Sequence, residues 1–458
     1  MLKKNTEFIG TVSALGSEGE GVVETEGGRV FVPFCLVGET VRVHIVRAKG
    51  GAAYGKLLEV LVPSPDRVEP ACAAYGKCGG CHLQHMRYEA QLAWKREKVA
   101  SALRKLGNIE AEVSPVVPCE AQYGYRNKLQ LPIGRSDGKT VVGFYAPRSH
   151  RVVPIEDCPV TPWAARAIGL IKRYIEECGA EGYDEESGKG ILRHVVIREL
   201  AEKYIVTFVT TGSLPQEKRL VGMLKETFPD FTLWHNKNAS RGNAIFGKEF
   251  RLVYGAGVFA AEENGIRYSA GANTFVQVNG EIRGKLYEAA LSKVSEDATV
   301  IDCYAGGGLL TAMFAKKCKQ AYGIEIVPEA VACADALKRE NGLVNMENHC
   351  GSVEEVLPRL MRTVGEQATL TVDPPRKGLE RSVVSAIAAS GIKRVVMISC
   401  NPATLARDLG LLTGSLREEN GAIVKGTGDG AYRIESVEPF DMFPQTSHVE
   451  TLVCLERK

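Results

Sequence analysis

The chain has 458 residues, 45% apolar, 24% charged and 7% aromatic, the make-up of a soluble globular protein too long for one domain; two to four domains are expected. No run of about 18 apolar residues occurs, and the start MLKKNTEFIG has no apolar core ahead of a small-residue cleavage site. A membrane span and secretion are therefore not expected, and a cytoplasmic location is. With 57 basic against 55 acidic residues the net charge is only +2, which excludes a polycation that coats nucleic acid along its length, so any basic footprint must be local. Thirteen cysteines, an odd number in a long chain, favour metal binding, catalysis or burial over a disulfide framework.

Residues 7 to 61 alternate in short stretches broken by Gly-rich turns (FIGTVSAL, GEGVVET, GGRVFVPF, ETVRVHIVRAKG, YGKLLEVL), which predicts a small five-stranded β-barrel. A turn-rich linker at Ser64, Pro65 and Asp66 leads into a cysteine cluster. Residues 67 to 151 hold fourteen Lys or Arg against seven Asp or Glu, so the positive charge is concentrated here and the remainder is acidic. The spacing of Leu92, Val99 and Leu103 predicts a helix over 88–106 with its Lys and Arg on the opposite side. Residues 123 to 265 read as mixed α and β, with strands near 140–155, 191–211 and 243–259. After Val300 strand, loop and helix repeat in order, which means a parallel sheet with helices on both faces, and the tail near 432–456 returns to strands. The domains expected are 1–62, a barrel; 63–265, a central unit; and 266–458, a Rossmann-like α/β unit.

In DCYAGGG, Asp302, Tyr304, Gly306 and Gly308 follow an apolar strand and precede a helix, where a Gly-rich turn lets a ligand meet backbone and helix N-terminus. Glu325 ends the next strand, nineteen positions beyond Gly306, where a carboxylate can accept hydrogen bonds from a ribose diol. The fingerprint is not GxGxxG; it fits S-adenosylmethionine better than NAD, and spacing does not decide between them. Asp373 ends a later strand in TVDPPRKG, where two prolines force the chain out of the sheet at its ligand-binding edge. A DPP turn there suits methylation of a planar base.

Cys400, after VVMIS and before Asn401 and Pro402, opens onto the same edge, and the helix starting beyond it is expected to lower the thiol pKa. The cysteines at 303, 318, 333, 350 and 454 lack this combination and are expected in the core. Cys72, Cys78 and Cys81 form C-x5-C-G-G-C, a short loop able to wrap a metal. Three thiolates need a fourth ligand: Cys158, in EDCPV, is the first candidate and Cys119 the second. Iron-sulfur and zinc both accept four cysteines, and one ligand far from a tight trio favours the cluster.

Taken together these residues resemble the RNA (uracil-5-)-methyltransferases, closest to the iron-sulfur-containing branch acting on 23S ribosomal RNA. FVQVN, DPPRKG, SCNP and HVET in that order carry the resemblance, which covers nearly the whole chain. It implies that the barrel is an RNA-binding TRAM domain and that Cys72, Cys78, Cys81 and Cys158 ligate a 4Fe-4S cluster that shapes the RNA-binding face without redox chemistry. It further implies that Gln277, Tyr304, Glu325 and Asp373 bind S-adenosylmethionine, that Phe275 and Asn279 neighbour the target base, and that Cys400 is the nucleophile and Glu450 the base. Ala305 departs from the family's usual Cys, which is not a reacting group. The implied partner is RNA, held by the basic stretch with Arg126 and Lys128 among the contacts, by a monomeric enzyme. The same chemistry on the T-loop of transfer RNA is the alternative within enzymes. Its relatives generally lack both barrel and cysteine cluster, which argues for ribosomal RNA. A non-catalytic RNA-binding iron-sulfur protein is the alternative outside them.

Overall fold

The computed structural model describes residues 3–136 and 138–458; Met1 and Leu2 of the expected barrel unit, and Asp137, lie outside it. Strands β1 (Glu7–Leu15), β2 (Gly21–Thr25), β3 (Gly28–Val32), β4 (Thr40–Lys49) and β5 (Ala52–Val62) close into the expected barrel in the order β1-β2-β3-β5-β4. In β4, Val41, Val43 and Ile45 alternate inward between exposed or half-buried neighbours and fill a core with Val12, Val23, Val30 and Val32. Glu39, fully buried, accepts from Leu36 N–H and pairs with Arg67, which ties the barrel to the cysteine segment.

Helix α1 (Tyr88–Leu106) has the predicted bounds, but one prediction about its faces fails. Lys95 lies on the inward face with Val99 and Leu103, 0% exposed, where it meets the carboxylate of Asp441 at 2.5 Å. Sequence patterning sorts Lys outward, because it cannot see the buried partner.

The central sheet is built from β6 (Lys128–Ser136), β7 (Lys139–Tyr145), β8 (Val152–Pro154), β9 (Leu192–Leu200), β10 (Lys203–Thr210), β11 (Phe231–Lys237) and β12 (Glu249–Tyr254), in the order β12-β11-β10-β9-β6-β7-β8. Helices α2 (Ala164–Cys178) and α3 (Glu217–Thr227) cover it through Ile168, Ile171, Leu220 and Leu224. The sequence reading missed β6, whose Pro132 argues against a strand. That proline falls where β6 stops pairing with β9 and begins pairing with β7. The strand expected at 243–259 is shorter: only 249–254 joins the sheet. A separate hairpin, β13 (Phe259–Glu263) and β14 (Ile266–Ala270), follows and packs on the next unit.

That unit begins with α4 (Gly280–Ser292), whose N-cap Asn279 accepts from Ile282 N–H, and continues β15 (Thr299–Cys303), α5 (Leu309–Lys317), β16 (Gln320–Glu325), α6 (Pro328–Glu340), β17 (Met346–Cys350), α7 (Val353–Val364), β18 (Thr369–Val372), α8 (Arg381–Ala389), β19 (Arg394–Ser399) and α9 (Pro402–Thr413). A small hairpin, β20 (Leu416–Glu419) and β21 (Ala422–Lys425), precedes β22 (Tyr432–Phe440) and β23 (Glu450–Arg457). The sheet order is β17-β16-β15-β18-β19-β23-β22, parallel through β19, with β23 antiparallel to β19 and β22 antiparallel to β23. The near-continuous apolar runs of β15, β18 and β19 are those of strands covered on both faces. Helix α1 packs against α9, and residues 114–117 run along β22, so this early stretch joins the late unit.

Candidate active site

The candidate reacting groups stand together at the carboxyl edge of the parallel strands. Parallel pairing aligns Cys303 of β15 with Val372 of β18, and Val372 with Met397 of β19, which brings Asp302, Asp373 and Cys400 to one edge. The antiparallel pairing of Ser399 with Thr451 does the rest: one residue outward on each strand are Cys400 and Glu450. A base 50 positions away in sequence is thus placed beside the thiol by register alone.

The Gly-rich loop after β15 holds Tyr304, Gly306 and Gly308 at positive φ, and Gly308 caps α5. A Cβ on Gly308 would lie 2.6 Å from that of Ala334, so only glycine fits. The Glu325 carboxylate accepts from Gly306 N–H at 2.9 Å and from Val327 N–H at 2.8 Å, bracing this loop from the next strand. Asp302, buried, accepts from Thr311 at 2.5 Å and Thr371 at 2.7 Å. Above it is a cavity lined by Tyr268, Phe275, Gln277, Tyr304, Gly306 and Asp373. Phe275 is 75% exposed at its rim. Asn279, expected beside the target base, is instead 1% exposed: it caps α4 and donates to Met442 O, so it supports the site from behind.

Cys400 is half-buried and opens into a second space, a cleft of about 920 Å³ between barrel, α1 and sheet edge, lined also by Glu18, Trp94, Lys98, Arg376 and His448. Its thiol pKa lies above the ordinary value, raised by burial and by the Glu450 and Asp373 charges against Arg376. This reverses the expectation that the helix would lower it. The Asn401 side chain already accepts Ala403 N–H at the start of α9, and two carboxyls outweigh what remains of the helix field. Burial and then Asp373 push Glu450 up to about 8, and burial and then Asp302 push Asp373 up to about 7.

Sequence reasoning passed over Arg376, a cation acting on both Cys400 and Glu450. It stands in DPPRKG, and its loop is fastened to α9: Asn401 and Thr404 donate to Arg376 O, Arg407 donates to Lys377 O and Leu379 O, and Asp408 accepts Leu379 N–H. A cation three residues beyond Asp373 was the available signal.

Cys72, Cys78, Cys81 and Cys158 line one cavity of about 690 Å³, together with Arg126 and Lys128. Burial pushes Cys81 up to about 11 and Cys158 up to about 12, each raised further by the other cysteines of the group. Cys119 lies apart from that cavity, buried and in contact with Glu281 and Asn279. Among the described residues no three His, Cys, Asp or Glu side chains are set to hold a metal ion. Of the cysteines expected in the core, 303, 318 and 454 are buried, whereas Cys333 and Cys350 are exposed. The basic stretch is not one face: Arg67, Arg87, Lys95, Arg104 and Arg135 are tied in ion pairs, while Lys77, Lys105, Arg148 and Arg151 face solvent. No helix among the described residues is long and apolar enough to cross a membrane.

A cavity at the switch-point edge of an open sheet, lined by Asp302 and Asp373, and a separate cleft at the same edge into which Cys400 opens, are where an open α/β sheet holds its ligands. The sequence model of the tRNA (uracil-5-)-methyltransferase family matches residues 87–458, and that of the TRAM domain of tRNA (uracil(54)-C(5))-methyltransferase matches 8–65. An uncharacterized RNA methyltransferase of Clostridium tetani is 37% identical over 461 residues, covering 99% of this chain and 97% of that relative. Another, of Halalkalibacterium halodurans, is 36% identical over 465 residues, covering 100% and 98%. The crystal structure of Pyrococcus abyssi tRNA (uracil-54, C5)-methyltransferase in complex with S-adenosyl-L-homocysteine superposes with a TM-score of 0.76 at 27% identity, covering 98% of this chain and 99% of that one. The chain belongs to the tRNA (uracil-5-)-methyltransferase family, with an N-terminal TRAM domain, and is an S-adenosylmethionine-dependent RNA methyltransferase.

Proposed function

We infer that the protein methylates carbon 5 of a uridine through a covalent bond between Cys400 and carbon 6. The observation that carries this is the β19–β23 register, which sets Cys400 and Glu450 side by side, with Cys400 opening into the cleft and Asp373 lining the cofactor cavity. Gln277, Tyr304, Glu325 and Asp373 would hold the cofactor, which supplies an electrophilic methyl group. Carbon 5 of uracil is a weak nucleophile. Addition of the Cys400 sulfur to carbon 6 moves the ring's double-bond electrons toward carbon 5 as an enolate, and carbon 5 then takes the methyl as its bond to sulfonium breaks. Glu450, unprotonated, removes the proton left on carbon 5; the double bond re-forms and expels the thiolate. Cys400→Ala is expected to abolish methylation while RNA binding survives. Glu450→Gln is expected to accumulate a protein-RNA band that resists denaturation, and full turnover by that variant would remove Glu450 from the mechanism.

The target is a uridine of 23S ribosomal RNA, as the sequence resemblance implies. The barrel no longer separates this from transfer RNA, because the matching TRAM domain and the Pyrococcus abyssi structure are of enzymes named for uracil 54 of tRNA. The T-loop of transfer RNA is therefore the second reading. Mapping 5-methyluridine in both RNAs with and without the protein decides between them.

The resemblance assigns a 4Fe-4S cluster to the cysteine cavity, with Cys72, Cys78, Cys81 and Cys158 as its proposed ligands. Four thiols from two segments line that cavity, Gly80 N–H points at the Cys78 sulfur at 3.3 Å, and Cys72 N–H is held by Gln84. Anaerobic purification should show about four iron and four sulfide per chain, lost on Cys158→Ala.

A further inference from the structure

The chain from Asp441 to His448, between β22 and β23, leads directly into Glu450, yet no strand or helix holds it. Its carbonyls are instead taken up one after another by donors from other parts of the molecule. Asn279 donates to Met442 O, Lys95 to Phe443 O at 3.0 Å, Tyr125 to Pro444 O, the backbone of His82 and Leu83 to Gln445 O, and Lys98 to Ser447 O at 2.6 Å.

Four of these donors, His82, Leu83, Lys95 and Lys98, sit on or just ahead of α1, and further bonds from Gln91 and Lys95 complete the grip. The Gln91 amide donates to Gln445 Oε1 at 3.0 Å and accepts Gln445 N–H at 3.1 Å, and the Lys95 ammonium reaches Asp441. Gln91, Lys95, Asp441 and Gln445 are all at most 2% exposed. An apolar residue would pack that face at no desolvation cost. The buried ammonium is spent on the loop, and the buried amide divides its donors between the loop and the carbonyls of Leu83 and Met86 just ahead of α1, so both answer a need for geometry. Beyond the last ladder pair, Phe440 with Glu450, the chain leaves the sheet and runs through this loop.

We propose that Lys95, with Gln91, is a positioning residue that holds the 441–448 loop so that Glu450 faces the adduct formed at Cys400. This rests on the reading of Glu450 as the base. Cys400 directly follows β19, which is held by its pairing with β18, and no hydrogen bond of the loop goes to it, so the clamp serves proton removal and not thiol addition.

The test uses full-length Lys95→Met and Gln91→Leu with unmodified ribosomal and transfer RNA from a deletion strain and labelled S-adenosylmethionine. It follows methyl incorporation, the denaturation-resistant band and the thermal unfolding midpoint, with Glu450→Gln run in parallel. Each folded variant is expected to form the methylated adduct near the parent rate and to resolve it about 10- to 100-fold more slowly, the scale of a small misplacement of a catalytic group. Adduct formation and resolution falling together would mark a merely structural role and overturn the proposal, as would parent turnover with no adduct. If Lys95→Met does not fold, Gln91→Leu, which leaves the ion pair intact, decides by the same readout. Absence of adduct in Glu450→Gln would instead remove the base assignment on which the clamp depends. Adduct in Glu450→Gln without it in either folded clamp variant would refute the clamp alone.

Discussion

Glu450 is 4% exposed, and its carboxyl is held protonated up to about pH 8 by burial and by Asp373, with Arg376 pulling the other way. The unfolded chain releases that proton near pH 4.3. Between those values the folded state binds more protons than the unfolded one, so this group lowers stability as pH rises through the window. Glu450→Gln should therefore gain thermal stability relative to the parent at pH 8 and little at pH 4, and a constant difference in unfolding midpoint across that range would contradict the assignment. The same carboxyl must be ionised to take a proton, so adduct resolution should speed up with pH and level off above about 8 in rapid-quench measurements. The Cys400 thiol, also raised, must be ionised by the bound substrate's surroundings, and Arg376 is the cation placed to help. Of these groups Cys400 was singled out by its local pattern, a thiol at a strand end before Asn-Pro; Glu450 was named only through the HVET motif of the resemblance, because a lone strand carboxylate has no local signature until register supplies its neighbour.

The Gly-rich loop and α9 show how elements hold the reacting groups. Gly308→Ala would force a Cβ to within 2.6 Å of Ala334 at a φ of 80°, costing about 1–3 kcal/mol, and should lower the unfolding free energy and S-adenosylhomocysteine affinity together, by denaturant titration and calorimetry. Asp408→Ala removes the acceptor for Leu379 N–H and the partner of Arg407, leaving a buried donor unsatisfied at about 1–3 kcal/mol. Because α9 then holds the loop carrying Arg376 less firmly, the covalent band trapped with Glu450→Gln should form more slowly in the double variant. An unchanged rate would mean that the loop holds its shape unaided. Most of these elements were readable from periodicity. Helix α7 and strand β17 were not singled out, and β6 was hidden by Pro132, where a change of strand partner, invisible in one dimension, makes proline tolerable.

At the scale of the molecule, the cleft above Cys400 exists only because the barrel, α1 and the sheet edge meet there. Glu18 of the barrel accepts from Ser447 of the loop before Glu450 at 3.0 Å, so the TRAM domain touches the reaction edge. The cations left exposed by internal pairing, Lys77, Lys105, Arg148 and Arg151 among them, would meet phosphates. RNA affinity should accordingly fall by at least about tenfold between 50 and 200 mM salt, linearly on a log-log plot, while S-adenosylhomocysteine binding barely moves. A flat salt response in filter binding would show that phosphates are not held by these charges.

Strand and helix periods, the Gly-rich turn and the joint order of four motifs determined the barrel, the parallel sheet and the family from sequence alone, since each is a local pattern written in consecutive residues. What only the tertiary structure decided was the company these residues keep. Lys95 turns inward because Asp441 waits there, Asn279 is buried as a helix cap, and the Cys400 thiol is raised by burial and by the carboxyls of Glu450 and Asp373. Burial and electrostatics depend on distances through space, and a chain read in order does not contain them until strand register and packing bring its distant segments together.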